Sequence, residues 1–221
     1  MKLYHGTAAR HLPKVLKHGL KPRGKGKGNW EHTVMSRPDA VYLTVAYSLY
    51  YALTATKKSE REAVIFEVDS SKLNPFRLCP DEDFLAQAAQ VGAPAFKDIK
   101  EQYDNDLLKM TAHFRDELEE YSDDWEASVK HMGNCCFIGN IPVEAITRYA
   151  LIPNIYKFVQ WSDPTIGIMN YRVLGEYYQA LSKRVFGDET DYVSEYGFYK
   201  LPTQEEIADV QVIELRSAVN A

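Results

Sequence analysis

The chain has 221 residues, 45% hydrophobic and 26% charged, with a formal net charge of -5 and a pI near 5.7. That balance belongs to an ordinary globular protein long enough for a sizeable core, and it excludes collagen-like, coiled-coil and disordered classes. No run of about 18 apolar residues occurs, and Met1-Lys2-Leu3-Tyr4-His5 lacks the apolar stretch of a secretory signal, so neither a spanning helix nor export is expected.

Taken in chain order, Lys2 to His5 is a short strand candidate, followed by a helix from about Ala8 to His18 with Leu12, Val15 and Leu16 on one face. Gly19 stands where a helix-ending glycine belongs. A loop then runs to about Met35. Ala40 to Val45 reads as a strand and Ser48 to Ala55 as a helix of small and aromatic residues. Ala63 to Val68 is the clearest strand, closed by Asp69-Ser70-Ser71. Residues 81 to 130 look helical and polar. Asn134 to Ile141 and Ile146 to Ile152 are two further strands, and Pro164 to about Phe186 reads as a helix. Strands and helices mix without strict alternation, which favours α+β over a doubly wound sheet. One domain with an insertion at about 80-131 and a helical C-terminal extension at about 154-221 is the simplest organisation.

Charge is unevenly spread. Residues 1 to 62 carry a net +8, and the remainder a net -13. From Lys14 to Lys27, six cations (Lys14, Lys17, Lys21, Arg23, Lys25 and Lys27) meet no acid, and glycines at 24, 26 and 28 space the second half. Such a loop attracts phosphates, although lysines kept for solubility give the same pattern. The acids concentrate between Cys79 and His131, where a solvated helical face, or a screen over the basic loop, is expected. Three cysteines, Cys79, Cys135 and Cys136, form no disulfide framework and no CxxC pair, which suits a reducing cytoplasm. The six histidines show no ligand spacing, so no metal is expected.

Two constellations carry chemistry. In Leu3-Tyr4-His5-Gly6-Thr7, an imidazole stands beside bare glycine backbone, which suits a planar amide or a ribose hydroxyl. A structural histidine gives the same pair. In Ala40-Val41-Tyr42-Leu43-Thr44, trailed by Tyr47, Tyr50 and Tyr51, the aromatic rings can stack on a flat heterocycle or simply pack a core.

Their order resembles the ADP-ribosyltransferase fold, in its His-Tyr-Glu branch of diphtheria toxin and the poly-ADP-ribose polymerases. Asn140-Ile141-Pro142-Val143-Glu144-Ala145-Ile146 resembles the Ile-Pro-x-x-x-Ile that follows the last catalytic strand in small members. The resemblance covers about residues 1 to 75 and 133 to 153. It implies an α+β split mixed sheet and NAD as substrate. His5 and Tyr42 would be catalytic, and His5, Gly6, Thr7, Tyr42, Tyr50 and Tyr51 would hold NAD. His5 would bond a ribose, Gly6 would clamp the nicotinamide carboxamide with Thr7 beside it, and Tyr42 with Tyr50 or Tyr51 would wall the ring.

The resemblance further implies cleavage of the nicotinamide-ribose bond and transfer of ADP-ribose to nucleic acid or protein, as in intracellular toxin and phage-defence members. An antitoxin partner fits that class. The family's glutamate is expected to begin the strand that leads into Ile-Pro, where this chain has Asn134 or Cys135, with Glu126 the nearest upstream acid. An inactive NAD or ADP-ribose binding module is therefore the alternative reading. RNA 2'-phosphotransferases share the His-Gly-Thr start but carry a second histidine where Tyr42 stands.

Overall fold

The computed structural model describes residues 1-26, 34-45, 47-57, 59-153 and 211-214. In chain order its elements are β1 (Lys2–Ala8), α1 (Leu12–His18), β2 (Ala40–Thr44), α2 (Ser48–Ala55), β3 (Glu62–Asp69), β4 (Leu78–Pro80), α3 (Glu82–Gln90), α4 (Lys97–Gln102), α5 (Leu107–Asp116), α6 (Trp125–Met132), β5 (Asn134–Ile138), β6 (Ile146–Pro153) and β7 (Gln211–Glu214). The class is α+β. The chain divides into two compact units, one of Met1–Gly19, Thr44–Ser70 and Pro142–Ala221, the other of Leu20–Leu43 and Ser71–Ile141.

The first unit is built on β3. Its run Ala63 to Val68 is buried throughout, because both flanks are paired and both faces covered. β1 lies antiparallel along its whole length, from Lys2 opposite Asp69 to Ala8 opposite Ala63. β6 pairs on the other flank with a bulge between Glu67 and Val68, and β7 pairs with β6. The strand at 211-214 departs from the expected helical extension. Its Val-Ile core satisfies the free edge of β6, a gain that local periodicity does not report. The expected helix from Pro164 lies outside the described residues. All these pairings are antiparallel.

The register sorts the side chains of the first unit. Tyr4, Gly6, Ile65 and Glu67 share one face, and Leu3, His5, Thr7 and Phe66 the other. α2 packs on the Gly6 face. A Cβ at position 6 would stand 1.9 Å from the Ser48 carbonyl oxygen and 2.7 Å from the Ala52 nitrogen. Only a glycine lets the helix backbone approach so closely. The expected helix at 8-18 begins as a 3-10 turn, Ala9–His11, before the regular α1. Pro13 sits in the first turn of α1, where its missing N–H costs no hydrogen bond. Gly19 closes α1 at φ 73, with its N–H on the Val15 carbonyl.

In the second unit β4 pairs antiparallel with β5, and β2 neighbours β5. Leu20 and Ile141 form an isolated bridge, with N–H···O distances of 3.0 and 2.9 Å. The acidic segment, read from sequence as a solvated face, instead builds a core of its own. Leu85, Ala86 and Ala89 of α3 meet Met110 and Phe114 of α5, with Leu118, Cys79, Cys136 and Ala40. Phe96, Phe114 and Tyr121 close it in three edge-to-face contacts, with centroids 5.2 to 5.8 Å apart. Each fully buried Leu, Met or Phe contributes about 1.5–3 kcal/mol. Most acids of these helices stay on the outer sides, but Asp81 and Glu82 at the start of α3 are buried.

Candidate functional site

β1 brings His5 and Thr7 to one face, both half-buried, with His5 opposite Phe66. Phe66 in turn packs on Tyr149 at a centroid distance of 6.0 Å, so a buried aromatic pair lies beside the imidazole. α2 carries Tyr50 and Tyr51 on the other face, the one Gly6 occupies. His5 and the tyrosine helix therefore belong to opposite faces of β1. Tyr51 meets Tyr47 edge-on at 6.4 Å, and the side chain of Tyr50 is outside the described part of the structure. Gly6 has a packing reason to be glycine, independent of any ligand.

Tyr42 lies in the second unit and is held at its hydroxyl. The Arg37 backbone N–H donates to Tyr42 Oη at 2.9 Å, and the phenol O–H lies 2.7 and 2.9 Å from the two carboxylate oxygens of Glu82. Its ring packs against the α3–α5 core. Burial first, and then the Glu82 charge, push the phenol well above its ordinary range.

Glu82, next to the buried Asp81, is the acid that faces the core. It stands three and four residues before Leu85 and Ala86, on the stripe of α3 that faces the core, and is only 5% exposed. Burial pushes its carboxyl up to about 7, against the stabilising Tyr42 hydrogen bond. The helix N-terminus favours acids at 81 to 83, but desolvation outweighs it. Asp81 caps α3 by accepting the Asp83 N–H at 2.9 Å, and its own N–H donates to Ser128 Oγ at 3.0 Å. Burial and the neighbouring Glu82 and Asp83 raise the Asp81 carboxyl well above its usual range. Asp83, also raised by burial, accepts from the Thr111 hydroxyl at 3.4 Å. Near neutral pH Glu82 is thus poised between its protonated and ionised forms, the state a general acid or base needs. From sequence, Asp81-Glu82-Asp83 looks like solvated acids at a helix start. The only signal was the spacing of Glu82 to Leu85 and Ala86.

A second buried carboxylate, Glu67 on β3, is differently held. It accepts from Arg148 Nε at 2.8 Å and from Thr147 Oγ1 at 2.6 Å, and pairs with a further Arg148 nitrogen at 2.7 Å and with Lys2 at 3.9 Å. Charge and hydrogen bonds both compensate its burial.

In the basic loop, the Arg23 guanidinium donates to the carbonyls of Ser36 and Gly26 at 2.5 and 2.7 Å and so ties the loop together. Arg37 pairs with Asp39 and Glu119, and Arg115 donates to the Met35 carbonyl at 3.4 Å. The acidic segment therefore does reach one end of this loop. Lys27, Trp30 and His32 lie outside the described residues. Among the described residues no group of His, Cys, Asp and Glu has metal-holding geometry, and no helix is long and apolar enough to cross a membrane.

No protein-family model matches the chain, and no curated protein matches it. Among solved structures it is similar to EcPltA, with a TM-score of 0.36 and 11% identity over 68% of this chain and 75% of that one. A likeness this slight carries no argument about fold family or activity.

Proposed function

We propose that the chain is an NAD-dependent ADP-ribosyltransferase of the His-Tyr-Glu type. On this reading it splits the nicotinamide-ribose bond and passes ADP-ribose to a nucleic-acid or protein acceptor in the cytoplasm. The observation that carries the reading is β1, where the half-buried His5 and Thr7 share a face with the buried Phe66–Tyr149 pair, opposite the face on which α2 packs over Gly6. Imidazole and hydroxyl are the groups that fix a ribose and a carboxamide. Holding NAD in a bent pose favours loss of nicotinamide, and a carboxylate then stabilises the oxocarbenium-like transition state.

A second reading, NAD or ADP-ribose binding without turnover, is favoured by a specific observation. The Tyr42 hydroxyl and the Glu82 carboxylate are spent on each other.

Incubation with NAD labelled separately in the nicotinamide and adenylate moieties, together with RNA, DNA or lysate protein, tests both. The transferase reading expects nicotinamide release, label on one acceptor class, and a loss of about a hundredfold in His5→Ala through mispositioning. Calorimetric binding of NAD without release supports the binding module instead. Absence of both binding and release sinks both readings.

A further inference from the structure

We propose that Cys79 and Cys136 form a reversible disulfide across β4 and β5 when the folded protein meets a peroxide. The two residues are direct partners in the antiparallel ladder. Opposed residues of such a ladder have Cα atoms about 4.5–5.5 Å apart, inside the 4.4–6.8 Å window a disulfide spans. Both are free thiols, buried in the same cluster between the strands and α3.

The Cys136 thiol donates to the Pro80 carbonyl oxygen at 3.7 Å, and the proximity of the two thiols lowers that of Cys79 and raises that of Cys136. This asymmetry assigns the roles, since the thiolate is the nucleophile. Cys135 points to the other face of β5, opposite Pro80, and burial drives its thiol up, so it stays out of the reaction. Both thiols are buried, so reaction with peroxide requires a local opening of β4, a strand of three residues paired with β5.

The chemistry balances with one hydrogen peroxide. Cys79 sulfur attacks one peroxide oxygen, giving a Cys79 sulfenic acid and releasing hydroxide, which takes up a proton as water. Cys136 sulfur then attacks the sulfenic sulfur, forming the S–S bond and expelling the second oxygen as water. Two thiol hydrogens and two electrons leave the protein, and the peroxide is reduced to two waters.

The bridge would close the loop from 79 to 136, which restricts the unfolded chain. It lies in the cluster against which the Tyr42 ring packs, so the redox state of the pair acts on the surroundings of the Tyr42–Glu82 contact. This inference stands apart from the proposed transferase activity and needs none of it.

The test treats the folded full chain with hydrogen peroxide, quenches, alkylates in denaturant and maps peptides. The expected result is a Cys79–Cys136 linked peptide that dithiothreitol reverses, with Cys135 recovered alkylated. Cys135→Ser should retain the link, and Cys79→Ser and Cys136→Ser should each lose it. Oxidised wild type should also unfold at a higher urea concentration than the same sample after reduction, a comparison that needs no variant to fold. A link through Cys135, over-oxidised Cys79 without a link, cross-linked dimers, or thiols that react only in denaturant would each overturn the proposal.

Discussion

The two units bury a glutamate each and treat it in opposite ways. In the first, Glu67 meets Arg148, Thr147 and Lys2, so burial is matched by charge. In the second, Glu82 is answered by a neutral phenol, and its carboxyl rises to about 7. The lesson concerns what burial does to an acid. A partner cation balances the charge of a buried carboxylate, whereas burial against a hydroxyl alone leaves Glu82 a group that exchanges its proton near neutrality.

Removing the cation should abolish the difference at its strong end. Arg148→Met strands the Glu67 charge and should cost about 3–5 kcal/mol in urea unfolding, while the double change Glu67→Gln with Arg148→Met should recover most of the loss. A single variant near wild-type stability would show that Glu67 is not dependent on its cation.

The pH dependence of stability comes next in size. The folded carboxyl of Glu82 lies above its ordinary 4.5, so the folded state binds the proton more tightly than the unfolded one. Its contribution is fully present below about pH 4.5, declines as pH rises, and is gone above about 7, a swing of at most about 3 kcal/mol. Asp81 and Asp83 shift in the same direction. Unfolding midpoints measured from pH 4.5 to 7.5 should therefore fall in wild type and fall less steeply in Glu82→Gln. Equal slopes would remove Glu82 as the titrating group.

Gly6→Ala tests whether the glycine serves packing in the first unit. Its new methyl would force α2 off the strand and should cost about 1–3 kcal/mol or more, because the obstacle is backbone. Unchanged stability with lost NAD binding would instead assign Gly6 to the ligand. Smallest of all, Glu119→Ala removes an exposed partner of Arg37 and should change stability by less than about 1 kcal/mol.

Much of the scaffold was legible in the residues. The buried run at 63 to 68, the small-residue helix at 48 to 55 and the glycine ending α1 all follow from local composition, and all appear within a residue or two. β4 was not legible, because three residues ending in proline carry too little periodicity to register. The candidate site was legible only in part. His5 and Thr7 emerge on one face as strand alternation requires, but α2 packs on the other, a placement no pattern within the helix encodes.

By itself, then, the sequence determined the mixed class, the central strands and a cation-rich first quarter set against an acid-rich remainder, since these rest on local periodicity and composition. Tertiary structure alone decided which acids matter. Glu67 and Glu82 look like their neighbours in sequence, and their partners lie about 80 and 40 residues away. A carboxyl's chemistry follows from what surrounds it after folding, and distant segments supply those surroundings.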